Sequence, residues 1–190
     1  MSQKENKERM AIMAAFMEYT LDRDQYPMSV YKFCKDTKKD EKLFYKYFGS
    51  LNAVRAMVWE SFYDNVMSLL EKDENFKTAT PKDRLLSFYF TFFEVLLLNR
   101  SYVLFSLSGQ ECMMGKMADL AALKKMFKAF ATELIEDGNE NKPSYLQHPP
   151  KLFSEAAWVQ LCFLLKFWTD DTSPDFEKTD QAIEKSVQTA

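Results

Sequence analysis

A chain of 190 residues with 47% apolar and 28% charged side chains holds enough hydrophobic material for a sizeable core and is no disordered tail. Its 4 glycines and 6 prolines are too few turn residues for an all-β fold, and no GxGxxG or GxxxxGK[ST] phosphate loop occurs. A single histidine, His148, rules out a multi-histidine metal site and leaves one candidate base for any nucleophile, so no catalytic residues, metal or cofactor are expected and the chain does not read as an enzyme.

The formal charge of −3 and an isoelectric point near 5.4 do not suit a non-specific nucleic-acid binder. The first fifty residues are slightly basic, with ten Lys/Arg against eight Asp/Glu, a weak pointer to an anionic partner at that end. Cys34, Cys112 and Cys162 lie far apart without a CxxC, so each is expected to pack as a small apolar side chain in a reducing compartment. The first nine residues are polar and contain no apolar signal core. The most apolar stretches, 85–98 and 156–168, fall short of the roughly 18 apolar residues of a bilayer span and are interrupted by Glu94 and Lys166. A soluble, cytoplasmic protein without membrane insertion is expected.

In chain order, residues 5–21 place Met10, Met13, Ala14, Met17 and Leu21 on one helical face. The DRDQYP stretch breaks that helix, and Ser29 is a suitable N-cap for a short helix carrying Val30, Phe33 and Cys34. A charged break at 36–39 leads to Asp40, the cap of a second short helix through Tyr47. Ser50 can cap a long helix with Leu51, Val54, Val58, Phe62, Val66 and Leu69 at helical spacing, ending near Glu74. Pro81 suits a first helical turn, and LLSFYFTFFEVLLL over 85–98 is apolar nearly all round, as a helix in the middle of a bundle is. Gly109 and Gly115 bracket a break before a helix from 117 to 135 that Gly138 can stop. Residues 137–150 read as a loop containing His148, and two more helices follow over 151–169 and 174–187. No segment has strand periodicity, so the fold class is all-α.

Two short helices joined by a tight break and framed by longer ones form a helix-turn-helix pattern, whose second helix can enter a DNA major groove. Lys39, Glu41, Lys42 and Lys46 would be exposed, Phe44 and Phe48 would face inward, and the Tyr45 and Tyr47 hydroxyls could donate to phosphate oxygens. Charged helix pairs also occur in plain bundles, and the pattern alone leaves both readings open.

Residues 29–50, SVYKFCKDTKKDEKLFYKYFGS, resemble the helix-turn-helix of the TetR family of bacterial regulators, roughly T-V-x-x-I-A-x-x-A-G-V-S-x-G-T-L-Y-x-Y-F-x-S-K. The likeness is strongest in Phe44-Tyr45-Lys46-Tyr47-Phe48, then in Ser29-Val30 and in Ala14-Ala15 of the preceding helix. The resemblance implies a three-helix DNA-binding domain over 1–49 and a C-terminal bundle over 50–190 for effector binding and dimerisation. It also implies a homodimer on a palindromic double-stranded DNA operator, with a small effector in a C-terminal pocket altering the spacing of the two heads. Carried over by position, the DNA-contacting set is Ser29, Lys38, Lys39, Glu41, Lys42, Leu43, Tyr45, Lys46 and Tyr47. Departures accompany the likeness. Lys38 stands at the turn glycine, Asp40 replaces the capping Ser, Asp40 and Glu41 bring negative charge toward phosphate, and Leu51 stands where a basic residue is usual.

Glu94, inside an aromatic and aliphatic run, must be paired, protonated or beside a cavity if buried. One reading makes it the polar anchor of an apolar effector pocket with Phe88, Phe92, Tyr102, Phe105 and Met126; the other gives it a partner or an exposed edge. Ala157, Trp158, Leu161, Leu165 and Trp168 give the penultimate helix more apolar width than one bundle contact uses, so they serve either a dimer interface or a monomer's interior, and the resemblance favours the dimer. The expected function is a ligand-responsive repressor with an apolar small-molecule effector. The rival is a TetR-fold protein whose DNA-binding head has degenerated and which binds a lipid or other apolar molecule, motivated by Asp40, Glu41 and Leu51.

Overall fold

The computed structural model describes residues 3–108, 117–140, 143 and 147–188. Among these residues the chain is all-α, with no strand. The helices are α1 (Gln3–Arg23), α2 (Val30–Thr37), α3 (Glu41–Tyr47), α4 (Leu51–Leu70), α5 (Glu74–Thr78), α6 (Pro81–Leu97), α7 (Arg100–Leu107), α8 (Met117–Asn139), α9 (Pro150–Asp170) and α10 (Glu177–Gln188), with a 3-10 turn over Pro174–Phe176. They fall into two compact units. Met1–Ser61 and Asn99–Ala122 form the first; Phe62–Leu98 and Leu123–Ala190 form the second, so α4 and α8 each contribute to both.

The first unit is organised by aromatic rings at helical spacing. Phe33 of α2 is fully buried and meets Phe16 and Tyr19 of α1 at 5.9 and 5.8 Å and Phe44 of α3 at 6.0 Å. Phe44 in turn packs on Phe48 at 5.7 Å. Burying one Phe side chain contributes about 1.5–3 kcal/mol, so this cluster supplies cohesion that ties the short helices α2 and α3 to α1. A second contact set joins the α1–α2 connection to α4, α7 and α8. The Arg55 guanidinium lies 4.1 Å over the Tyr26 ring and pairs with Asp119, and Phe105 meets the edge of Tyr26 at 5.0 Å.

The second unit is built around α6. Thr80 caps it by accepting from the Asp83 N–H at 3.2 Å, and Pro81 occupies its first turn. Phe88 is fully buried and contacts Phe92, Phe127 and Phe130 at 5.6, 5.2 and 5.1 Å. The Tyr89 hydroxyl donates to Gln160 Oε1 at 2.9 Å, and Phe93 packs on Trp168 at 5.9 Å. Arg84 pairs with Glu133 at 2.9 Å and with Asp137 at 2.7 Å, which ties α6 to the end of α8.

Several boundaries differ from the sequence expectations. The long helix α4 stops at Leu70, and Asp73 caps a separate short helix, α5, by accepting from the Asn75 N–H at 2.9 Å. The short helix α7 was not expected, because its apolar texture runs on from α6 with only Leu98 and Asn99 between them. Gly138 does not stop α8 but lies within it, beside Pro81. The expected break at Gly109 and Gly115, and Cys112, lie outside the described residues.

The α9–α10 connection is closed by one carboxylate. Asp171 Oδ1 accepts from the Ser173 N–H and hydroxyl at 2.8 and 2.7 Å, and Oδ2 accepts from the Thr179 N–H and hydroxyl at 2.9 and 2.6 Å. Burial by itself would raise this carboxyl, but the four donors overcome it and hold the pKa down at about 2. A depressed folded-state pKa means that the stabilisation is complete above the ordinary value of 3.8 and is lost as pH falls toward 2. Asp171→Asn is expected to lower stability at neutral pH by about 1–3 kcal/mol. It should also flatten the acid limb between pH 4 and 2, which denaturant titrations across that range would measure.

Candidate functional site

The geometry of α2, the turn and α3 follows from local backbone chemistry. Ser29 has extended backbone, and its hydroxyl accepts from the Lys32 N–H at 3.2 Å, which starts α2. The helix ends at Lys38, whose φ of 54° and ψ of 35° are left-handed. The Lys38 N–H bonds to Lys35 O at 3.4 Å and the Lys39 N–H to Cys34 O at 2.9 Å. This pair of closing bonds is a Schellman motif formed without glycine. Asp40 then caps α3, accepting from the Lys42 N–H at 3.0 Å. Phe44 and Phe48 point inward, both essentially fully buried.

With those two rings inward, Lys42, Tyr45 and Lys46 project outward on α3 and are exposed, Tyr45 to 54%. Glu41, Leu43 and Tyr47 are half-buried, as is Lys39 in the turn; Ser29 and Lys38 are exposed. Two of the polar ends are already engaged within the first unit. The Tyr47 hydroxyl donates to Glu8 of α1 at 2.6 Å, and Lys46 pairs with Glu5 at 3.3 Å. Hydrogen bonding to Glu8 raises the Tyr47 pKa, and hydrogen bonding to Tyr47 and then to Glu5 raises that of Lys46. The exposed, uncommitted reading surface of α3 therefore centres on Lys42 and Tyr45.

The residues singled out for a pocket are divided between the two units. Phe88 and Phe92 are fully buried in the ring stack of the second unit, Met126 is half-buried on α8, and Glu94 is exposed on α6. Tyr102 is buried and Phe105 half-buried, both in the first unit. The second unit instead holds a partly open cavity of about 720 Å³ where the start of α6, the end of α8, the start of α9 and the end of α10 meet. None of the six lines it. The side chains that could have signalled it are small ones, Ala131, Ala157 and Ser186, on helix faces that periodicity marks only as apolar or mixed.

Of the proposed interface residues, Trp158, Leu161, Leu165 and Trp168 are buried within the second unit and Ala157 is half-buried, so this face of α9 is core. The apolar residues left outside lie on the opposite face: Leu152 at 66%, Val159 at 65% and Phe163 at 61% exposure, with Ala156 also exposed and Phe167 ringed against Phe163 at 6.3 Å. Their spacing of three and four was visible in the sequence, but α9 carries apolar residues on both faces and periodicity alone does not say which one turns inward. His148 is exposed, with its backbone N–H bonded to Asn139 Oδ1 at 2.9 Å and its ring 4.7 Å from Phe153. Cys34 is buried and Cys162 half-buried; burial raises both thiols, Cys162 to about 11, so neither is a thiolate at neutral pH. Among the described residues, no group of three or more His, Cys, Asp or Glu side chains could hold a metal ion, and no single helix is long and apolar enough to cross a membrane.

Comparison with known proteins bears on this arrangement. A family model for the "Tetracyclin repressor-like, C-terminal domain" matches residues 84–190, more than half of the chain. The chain belongs to the TetR family. The crystal structure of a protein assigned to the TetR family of transcriptional regulators, from Syntrophomonas wolfei str. Goettingen, superposes with a TM-score of 0.73 at 15% identity. That alignment covers 97% of this chain and 94% of the other, so the fold is shared over nearly the whole length. No curated protein sequence matches. The all-α architecture, with an N-terminal helix-turn-helix followed by a helical bundle, is thus that of a TetR-family transcriptional regulator.

Lys38 occupies the turn position that most favours glycine, at a cost of about 1–2 kcal/mol for a residue with a Cβ. Lys38→Gly is expected to raise the melting temperature by several degrees while leaving α2 and α3 intact, as thermal unfolding followed by circular dichroism would show. An unchanged or lowered melting temperature would mean that the turn is not strained.

Proposed function

We propose that the chain is a ligand-responsive, DNA-binding transcriptional regulator, a repressor, that acts as a homodimer on a palindromic operator. The observation that carries the reading is the geometry of α2 and α3. A tight left-handed turn, two inward phenylalanines and an outward Lys42–Tyr45 face present a seven-residue helix as a groove-reading element. Lys42, Leu43 and Tyr45 then face base edges and phosphates, with Ser29, Lys38, Lys39 and Lys46 adding backbone contacts. Glu41, at the first turn of α3, opposes phosphate and restricts which operator the helix accepts.

The second copy is supplied by the exposed α9 face. Leu152, Ala156, Val159, Phe163 and Phe167 form a continuous apolar stripe, and the same stripe on a second chain is its natural self-complement about a two-fold axis. An effector in the second unit would then bias the separation of the two heads, which must lie about one helical turn of DNA apart.

A specific observation favours one second reading. Tyr47 and Lys46, both in the phosphate-contacting set, are engaged by Glu8 and Glu5, and Asp40 and Glu41 add negative charge to the same helix. On that reading the head no longer binds DNA, and the protein carries a lipid or other apolar molecule.

Titration of the protein with a duplex from its own upstream region should give saturable binding that weakens steeply with salt as counterions are released. The double variant Lys42→Ala/Tyr45→Ala should lose at least tenfold in affinity for that duplex, consistent with about 1–3 kcal/mol for each lost base contact. Equal affinity for the upstream and random duplexes would exclude the regulator reading and leave the carrier. For the assembly, light scattering behind size exclusion should find a dimer that Val159→Glu/Phe163→Glu converts to monomer without loss of helicity. A variant that remains dimeric would place the interface elsewhere.

A further inference from the structure

The cavity of the second unit has a chemical character that the family assignment does not supply. Its walls are hydrocarbon and aromatic, from Leu85, Leu134, Ile135, Phe153, Ala157 and Val187. Its polar lining residues include one cation, Lys82, and among the described lining residues there is no carboxylate. Lys82 is exposed, and its ammonium donates to the Gln188 carbonyl at 3.2 Å, which holds it at the edge where α6 and α10 meet.

Of the polar groups in the walls, Ser186 donates its hydroxyl hydrogen to Ile183 O at 2.9 Å, and Gln160 has its acceptor end taken up inside the unit. The fully buried Tyr89 hydroxyl donates to Gln160 Oε1, so the carbonyl end of this amide is occupied and its N–H donors are turned to the other side. The Asn139 amide is used at both ends, donating to His148 O at 2.8 Å and accepting from the His148 N–H at 2.9 Å, so it closes the rim and offers little to a ligand. The imidazole of His148 lies against Phe153 at the same rim. A space of about 720 Å³ with apolar walls, an amide donor and one ammonium selects for apolar mass that carries an oxygen acceptor, best a negatively charged one.

We infer that this cavity is a binding site for an apolar monocarboxylate, a molecule with one hydrocarbon or aromatic body and one carboxylate group, held by the walls and recognised by the donors of Lys82 and Gln160. The inference rests on the reading of the second unit as ligand-binding, and it is tested without DNA. The site is separate from Phe88, Phe92, Glu94 and Met126, and the small side chains that open it, Ala157 among them, are those whose enlargement would close it.

The experiment is isothermal titration of the DNA-free protein with decanoate and, separately, with decylamine, which has the same hydrocarbon body and the opposite charge. Decanoate is expected to give saturable binding at one site per chain, at least tenfold tighter than decylamine. Lys82→Glu, a change at an exposed position, should weaken decanoate at least tenfold and reverse the preference. Ala157→Trp should abolish binding by filling the space, with circular dichroism confirming the fold. Absence of saturable binding by decanoate overturns the proposal. So does equal binding of the two probes, or decanoate affinity unchanged in a folded Ala157→Trp or Lys82→Glu variant. Because no duplex is present, failure here is distinct from failure to bind an operator.

Discussion

The contact between Phe33 and Phe44 governs the part of the molecule that would read DNA. These rings come from two helices of eight and seven residues, each too short to be stable alone. They meet edge to face at 6.0 Å over a floor made by Phe16 and Tyr19 of α1. Once both are buried, rotation of α3 about its axis is set, and with it the identity of the residues that look outward. The Schellman closure at Lys38 serves the same end. It reverses the chain between α2 and α3 through a left-handed backbone at a lysine.

Charge is distributed in the same spirit. The face of α3 is not uniformly basic: Lys46 and Tyr47 are drawn toward glutamates of α1, while Lys42 and Tyr45 remain exposed. A helix with so few uncommitted donors offers only a small number of contacts to any partner. In the second unit the charged groups do structural work. Arg84 holds α6 to α8, Glu155 pairs with Lys124 and Lys128 of α8, and Asp171 closes the turn into α10. The described lining of the cavity contains none of these carboxylates.

Much of the fold was legible without coordinates because helices announce themselves locally. Apolar spacing placed α1, α4, α6, α8 and α9, and the caps Ser29 and Asp40 marked the two short helices with the correct first residues. Lys38 was recognisable as the turn position because the residues around it match a known pattern. The site was less legible. Glu94 in an apolar run left open a buried anchor or an exposed edge, and the residue sits on the exposed edge of α6, flanked at a helical turn's distance by exposed Leu97 and Leu98. The rings of Phe88 and Phe92 have the composition of a ligand wall, but they stack on each other and leave no space.

The linear order of residues determined the all-α class, the helix-turn-helix and the family, because each rests on spacing and capping within a few residues of chain. Tertiary structure alone decided which face of α9 is core and which is exposed, since that helix is apolar on both. It also decided where the cavity lies. Empty space arises where small side chains of α8, α9 and α10 converge beside the start of α6, and no periodicity along one helix encodes what the other three bring to meet it.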